Sequence, residues 1–215
     1  MSTGSTVDTD ELHRAGHVLA AESARYAALG WMRGSSGNLS QVLRHDPLQL
    51  AVTASGLDKG ELTDHDVVAV DRTGAAVPGQ PHPQRPSAEA GLHARIAEVS
   101  GAGAVVHVHA LSAVLAAHHW PAGVVLSDLE MLKGLGRTAS DTMTVPVVDN
   151  SQDMHVLGDT FHTGYDPATP ALIVARHGLY VWGRDVREAR HRTECLDWLL
   201  QFTLSANRPE QEAMA

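Results

Sequence analysis

The sequence predicts one α+β domain spanning residues 1–215, with polar tails at residues 1–8 and 206–215, built on a mixed, mainly antiparallel central sheet with helices on its faces. A chain of 215 residues has the length of one domain. Pairs of short apolar strands joined by tight turns occur between isolated helices. Neither a GxGxxG nor a Walker sequence is present, which disfavours a doubly wound parallel sheet.

The predicted helices begin at residues that commonly cap helix N-termini. Thr9 or Asp10, Ser87 and Asp185 each precede a stretch with helical spacing of apolar side chains, and each can accept backbone N–H bonds. The predicted helices cover residues 9–32, 88–99, 111–118 and 128–135, and a last one runs from Asp185 to about residue 205.

Strands are predicted where apolar residues alternate with polar ones or form short runs. Residues 38–43 and 48–53 are expected to pair as a hairpin across residues 44–47. Residues 78–86 are expected to form an extended loop, because proline recurs throughout this stretch. The remaining strands are predicted at residues 67–70, 104–109, 124–125, 144–148, 171–175 and 179–182.

Composition excludes several classes of function. The chain holds 16 Lys plus Arg against 25 Asp plus Glu, and the net charge of −9 disfavours nucleic-acid binding, although a locally positive pocket can still bind a small anion. Cys195 is the only cysteine, so an intrachain disulfide and a cysteine metal cage are both excluded, which suits the cytoplasm. Residues 1–10 do not resemble a signal peptide, and no apolar run approaches the roughly 20 residues of a membrane span.

His107 and His109 form the strongest local signal for chemistry. On a strand, side chains two residues apart point to the same face, so the two imidazoles can chelate a metal; the alternative is simply a polar strand face. A catalytic zinc needs a third ligand, and His177 is the best candidate because it lies in a turn after an apolar strand. His118 and His119 are interpreted as an exposed helix end.

Three short loops have the composition of an anion-binding site. Residues 35–40, 53–56 and 85–87 combine small residues with hydroxyl groups, and the last precedes a helix N-terminus, where the helix dipole favours negative charge. Each loop could equally be an ordinary turn, but three of them beside a candidate metal site favour a phosphorylated substrate. Lys59 follows the second loop and is not assigned to the site.

Two carboxylates are further candidates for the chemistry. By the sequence pattern alone, Glu89 is better explained as an acidic residue in the first turn of a helix, and Glu130 as an ordinary solvated residue. The sequence pattern alone therefore leaves both roles open.

Taken together, these motifs resemble the class II aldolase/adducin family. The resemblance extends from about residue 10 to 205, and the motifs occur in the family's order at similar spacing. The matching motifs are residues 37–40 (Gly-Asn-Leu-Ser), 53–56 (Thr-Ala-Ser-Gly), 86–89 (Pro-Ser-Ala-Glu), 107–109 (His-Val-His) and 176–178 (Arg-His-Gly). Three further segments resemble the dehydratase branch of the family: residues 129–134, 145–153 and 177–184.

The resemblance implies a role for each matching residue. His107, His109 and His177 match the family's metal ligands, with Zn²⁺ the first choice and other divalent metals possible. Glu89 matches the acid/base of the aldolases, and Glu130 the acid/base of the dehydratase branch. The positions that match the phosphate loops are Asn38, Ser55, Gly56 and Ser87. Many aldolases carry a second hydroxyl residue where this chain has Ala88, so one phosphate contact is missing.

The resemblance also implies an activity and an assembly. The expected reaction is the metal-dependent dehydration of a 1-phosphorylated ketopentose that bears a methylthio group on C5. The alternatives are an aldolase or epimerase of the fuculose or ribulose phosphate type and a non-catalytic adducin-like binding protein. The family's usual assembly is a homotetramer of C4 symmetry with active sites at subunit interfaces, so a neighbouring chain can contribute to each site.

Overall fold

A computed structural model describes residues 7–82 and 84–207; most of the two predicted tails, residues 1–6 and 208–215, lies outside the described residues. The strands are β1 (Asn38–His45), β2 (Leu48–Thr53), β3 (Val67–Asp71), β4 (Ala104–Val108), β5 (Val124–Ser127), β6 (Thr142–Val145), β7 (Val147–Val148), β8 (Ala171–Val174) and β9 (Gly178–Gly183). The helices are α1 (Thr9–Ala28), α2 (Ala90–Ser100), α3 (Leu111–His119), α4 (Met154–Gly164) and α5 (Val186–Ala206), with a 3₁₀ helix at Glu130–Leu135.

The central sheet is mixed and mainly antiparallel, as the sequence predicts. Among the described residues it has seven strands in the order β3-β2-β1-β4-β9-β8-β7, and β5 and β6 form a separate hairpin. Within the central sheet, β7 and β8 run parallel and the other neighbouring strands run antiparallel. The predicted hairpin of β1 and β2 is confirmed.

Helices cover both faces of this sheet. On one face, helices α1, α3 and α5 pack into a core that includes Leu19 of α1 and Leu199 of α5 together with Val106 of β4. On the other face, α2 and α4 pack through Ile96 and Phe161 against the side chains of β4, β8 and β9. None of the described helices is long and apolar enough to cross a membrane.

Helix α1 begins and ends differently from the prediction. Its N-cap is Asp8, rather than Thr9 or Asp10, and the Asp8 carboxylate accepts N–H bonds from the next turn. The helix ends at Ala28, four residues early, because Gly30 adopts a left-handed conformation with φ +75° that turns the chain away.

Pro146 divides the strand predicted over residues 144–148. Proline has no N–H to donate to a strand ladder, so β6 ends at Val145 and pairs with β5, while β7 starts at Val147 and joins the central sheet. The helix predicted over residues 128–135 is the shorter 3₁₀ helix, which ends where Gly136 adopts φ +78°.

Helix α4 was not predicted from the sequence. Its glycine, threonine and histidine residues have weak helix propensity, which hides the helical spacing of Met154, Leu157 and Phe161. The aspartate before it, Asp153, accepts an N–H bond from His155 and caps the helix. Packing of the apolar stripe against α2 and the sheet therefore stabilises a segment whose local preference is poor.

Gly16 of α1 provides a test of close packing in this fold. A methyl group at this position would overlap the carbonyl oxygen of Asp64 in the β2–β3 connection, whereas Gly164 at the end of α4 has open space around it. We expect Gly16→Ala to lower the free energy of unfolding by about 2 kcal/mol, despite the better helix propensity of alanine. Urea denaturation measures this, and Gly164→Ala should be neutral or stabilising; equal effects in the two variants would contradict the packing.

Candidate active site

The three predicted histidines converge at one edge of the β4–β9 pair. Strand β4 carries His107, His109 follows its end, and the turn between β8 and β9 carries His177. One ring nitrogen from each of the three residues lies within 4.8 Å of the other two, and the Nε2 atoms of His107 and His109 are 3.0 Å apart. The structure therefore brings together all three residues that were expected to form a metal centre.

The residues around His177 explain how the turn approaches β4. Arg176 adopts a left-handed conformation with φ +57°, which reverses the chain immediately before His177. A side chain on Gly178 would collide with the Val108 carbonyl and with the ring of His107. Only glycine at this position lets the turn pack against the histidine pair.

His107 is held in the orientation and protonation state that suit a ligand. Its Nδ1–H donates to the carbonyl of Leu179 over 3.2 Å, which leaves Nε2 free to face the other rings, and the Tyr180 ring stacks on it at 4.0 Å. Burial lowers the pKa of His107 to about 3 and is also the main cause of a lowered pKa at His109. Both rings are therefore neutral at pH 7, the form that binds a metal.

Glu89 completes the cluster as a mostly buried carboxylate. Its Oε1 lies 3.1 Å from Nε2 of His177, its Oε2 lies 3.4 Å from Nε2 of His107, and Oε2 accepts a 2.5 Å hydrogen bond from Asn38 Nδ2. Burial alone would raise the pKa of Glu89, but the two histidines and the Asn38 amide outweigh it and hold that pKa well below its usual range. The carboxylate is therefore an anion beside the three rings.

This donor set fits a divalent transition metal. Three imidazole nitrogens that face one another gain a common partner when they share a cation, and they leave an open position for substrate. The Glu89 carboxylate adds negative charge that favours a cation and is itself a possible ligand. His177 and Glu89 are partly exposed, with 17% and 14% of their side chains accessible, so the centre is open to the cleft.

The predicted phosphate loops line a cleft of about 340 Å³ that reaches these residues. Its lining combines residues of the candidate metal centre (Glu89, His109 and His177), all four predicted phosphate positions (Asn38, Ser55, Gly56 and Ser87) and a segment given no role in the sequence analysis (Asn150, Ser151, Gln152 and Met154). The size suits a small phosphorylated sugar held with one end at the histidines.

Ser87 does not cap helix α2, which corrects the prediction. The helix begins at Ala90 with Glu89 at its N-cap, because the Ala90 N–H bonds to the Ser87 carbonyl in a preceding turn. The Ser87 hydroxyl instead accepts hydrogen bonds from Asn38 Nδ2 and the Glu89 N–H. The amide nitrogen of Asn38 is thus committed to Ser87 and Glu89, which gives Asn38 a positioning role within the cleft.

Ser55 and Gly56 form the open side of the cleft. Gly56 adopts φ +79° and no atom would lie within 4 Å of a side chain there, so its backbone is accessible to a ligand. The Ser55 N–H donates to the Arg85 carbonyl over 2.9 Å, and the Arg85 guanidinium donates to the Ser55 hydroxyl over 3.3 Å. These bonds join two of the predicted loops and bring a cation next to the hydroxyl.

Lys59 lines the same cleft and was missed by the sequence analysis. It is almost fully buried, and its ammonium donates to the backbone carbonyls of Ser35 and Leu57. Burial lowers its pKa. A buried cation with a third N–H beside the predicted phosphate loops is suited to a phosphate. The sequence signal that Lys59 belongs to the cleft was its position shortly after the loop at residues 53–56.

Glu130 lies outside the cleft. Its side chain is 75% exposed on the 3₁₀ helix, where it pairs with Lys133 over 2.6 Å. The fold of one chain therefore does not bring Glu130 to the three histidines. His118 and His119 are exposed at the end of α3, as expected.

Comparison with known proteins identifies the family of this chain. The family model for the Class II Aldolase and Adducin N-terminal domain matches residues 17–204. The chain is 33% identical to a methylthioribulose-1-phosphate dehydratase of Persephonella marina and 35% identical to one of Sulfurihydrogenibium, in each case over 90% of both chains. A dehydratase of the same name from Bacillus cereus is 33% identical over 89% of this chain and 90% of its own.

Solved structures share the fold at lower identity. An L-fuculose-1-phosphate aldolase from Thermus thermophilus superposes with a TM-score of 0.70 at 22% identity, covering 92% of this chain and 96% of its own. A sugar-phosphate aldolase from Thermotoga maritima superposes with a TM-score of 0.64 at 19% identity, covering 93% and 97%. On the family model and the sequence relatives together, the chain belongs to the class II aldolase and adducin family.

Proposed function

We propose that this chain is a metal-dependent methylthioribulose-1-phosphate dehydratase, a lyase of methionine salvage. It removes water from 5-methylthioribulose 1-phosphate to give 2,3-diketo-5-methylthiopentyl 1-phosphate. The relatives that match 90% of the chain carry this name, and their identity of 33–35% extends over the whole fold.

The proposal rests on one observation: the candidate metal centre and the predicted phosphate loops line the same cleft. A cluster of three imidazoles and Glu89 lies at one end, and loops with hydroxyl groups, an open glycine and buried Lys59 line the rest. A 1-phosphorylated ketose needs both, because its phosphate and its reacting carbons lie a few bonds apart. The phosphate grip orients the carbons for reaction without taking part in it.

His107, His109 and His177 would hold the metal, with Zn²⁺ our first choice. When bound, the metal supplies Lewis acidity toward the C2 carbonyl, which makes the proton on C3 easier to remove. The two carboxylate oxygens of Glu89 lie beside the Nε2 atoms of His107 and His177, where they could join the ligands of the metal. The negative charge of Glu89 also favours the bound cation.

The proposed reaction needs a base for the C3 proton and an acid for the C4 hydroxyl. Removal of the C3 proton and the C4 hydroxyl gives water and an enol. The enol becomes the 2,3-diketone when a proton is added to C4. We assign the acid/base role to Glu130, which faces solvent and reaches a cleft only in an assembled oligomer, from a neighbouring subunit. Glu89 is the competing candidate, since it already contacts the histidines.

In a homotetramer, a neighbouring subunit could bring its Glu130 to the cleft. The surface of the chain has an exposed apolar area that suits such an assembly. Leu111 of α3 is exposed, and the rings of Trp198 and Phe202 stack on the outside of α5 with nearly half of each side chain accessible. Large apolar side chains exposed on neighbouring helices are typical of subunit contacts. We propose that this cytoplasmic enzyme acts on its small-molecule substrate as a homotetramer.

The activity itself is tested with three substrates. We expect metal-loaded enzyme to release the diketone from 5-methylthioribulose 1-phosphate, measured by its absorbance after ketonisation, and to leave fuculose and ribulose phosphates unchanged. Chelation should abolish the activity and Zn²⁺ should restore it, because the C3 proton is too weakly acidic without a Lewis acid. Cleavage of fuculose phosphate in preference to dehydration would identify the chain as an aldolase instead.

The position of Glu130 is tested by mixing inactive subunits. Glu130→Gln and His107→Ala are each expected to be inactive alone. Random mixed tetramers should recover about a quarter of wild-type activity, because about one site in four pairs an intact histidine set with an intact Glu130 from the neighbour.

The matched control for this mixing replaces Glu130→Gln with Glu89→Gln. Glu89 and His107 belong to the same chain's cleft, so mixing Glu89→Gln with His107→Ala should recover no activity. The assignment is wrong if Glu130→Gln alone keeps near-normal kcat at full metal occupancy, or if its mixture with His107→Ala stays inactive.

The phosphate contact is tested with Ser55→Ala. Losing a hydroxyl that bonds a phosphate dianion should raise KM about tenfold, since a hydrogen bond to a charged group contributes roughly 1.5 kcal/mol. The unphosphorylated ketose should be a much poorer substrate, and its residual rate should be insensitive to Ser55→Ala. The two losses should therefore be non-additive. Equal damage to both substrates would mean that the loop supports the scaffold only.

A further inference from the structure

A second histidine cluster lies apart from the candidate active site. His13 comes from α1, and His65 comes from the connection between β2 and β3. His82 comes from the loop predicted over residues 78–86, called the proline-rich loop below. Ring nitrogens of the three residues lie within 4.8 Å of one another, and the His65 ring centroid is 4.9 Å from that of His13 and 4.5 Å from that of His82. The fold thus assembles three imidazoles from segments that are distant in the sequence.

The contacts around this cluster do not satisfy all of its ring nitrogens. The Nε2 atom of His13 is shielded from solvent and has no hydrogen-bond partner among the described residues. A buried nitrogen without a partner is unfavourable unless a ligand engages it. His65 and His82 are exposed, and the Asp64 carboxylate lies 3.8 Å from His65 Nε2. Three nitrogen donors and a neighbouring carboxylate form an environment for a cation.

We propose that His13, His65 and His82 bind a second divalent transition-metal ion, separate from the centre at His107. Imidazole donors select Zn²⁺ and its neighbours over Mg²⁺ and Ca²⁺, which prefer oxygen ligands. Three imidazoles leave a fourth position, which water or the Asp64 carboxylate can occupy. The half-exposed position suits an ion that crosslinks segments of the chain.

The proposed ion fastens the proline-rich loop to the body of the protein. One turn after His13, Gly16 packs directly on the backbone of Asp64, so α1 and the β2–β3 connection are already in contact. The loop is held on this side by Gln84, whose amide donates to Asp66 over 3.4 Å. A metal at His82 would anchor the loop immediately before Arg85, the residue that bonds Ser55 in the substrate cleft. Its effect on the reaction should therefore fall on binding of the phosphate.

The metal content of the full-length protein tests the proposal. The protein is stripped with a chelator, reloaded with Zn²⁺, desalted and analysed for zinc. We expect about two equivalents per chain in the wild type and about one in His82→Ala or His65→Ala, whose exposed side chains can be removed without disturbing the core. The matched control is His118→Ala/His119→Ala, an exposed histidine pair elsewhere, which should keep both equivalents.

A second measurement isolates the proposed site from the active site. Co²⁺ added to His107→Ala should give the visible absorption of a tetrahedral ion, and Zn²⁺ should raise the melting temperature of that variant. Both effects should disappear in His107→Ala/His82→Ala. The proposal is overturned if His82→Ala binds as much zinc as the wild type, or if the control pair loses zinc to the same extent. Equal melting shifts in the single and double His107 variants would overturn it as well.

Discussion

The antiparallel pairing of β4 with β9 is the constraint on which the candidate active site depends. Its register sets His107 opposite Tyr180 and Val108 opposite Leu179, so the turn that precedes β9 falls beside the end of β4. His177 in that turn therefore meets the histidine pair. Gly178 allows the two backbones to approach closely enough for this meeting. Because both strands lie inside the sheet with helices on both faces, the geometry is held by the core and not by surface loops.

The cleft contains both a carboxylate and cationic side chains, although the net charge of the protein is −9. At one end, the Glu89 carboxylate is buried against imidazoles and favours a cation. At the other, Lys59 is buried against backbone carbonyls, and Arg85 lies over Ser55. In a partly dehydrated cleft these few charges act more strongly than the many charges on the solvent-exposed surface. In the proposed reaction, one end of the cleft would bind the metal cation and the other end the phosphate, whatever the sign of the whole molecule.

The two histidine clusters differ in how the fold prepares them. In the His107 cluster the central ring is buried and oriented by a backbone carbonyl, and the other two residues lie just past the end of β4 and in the turn before its partner β9. The His13 cluster is assembled by a helix and two connections, and two of its members face solvent. The first arrangement suits chemistry, which requires fixed distances. The second suits a crosslink, which adds stability where the chain itself supplies few contacts.

Short-range periodicity and turn-forming residues suffice to predict the mixed antiparallel sheet, most of its strands, and the pairing of His107 with His109. The sequence also identified His177, Glu89 and the three loops that meet in the cleft. The start of α2 after Ser87, the helix α4 and the burial of Lys59 emerge only in the three-dimensional structure. Each of these depends on which distant segment packs against the residue. The packing of distant segments also explains why the sequence pattern did not show that Glu130 lies away from the histidines of its own chain, or that His13 lies beside His65 and His82.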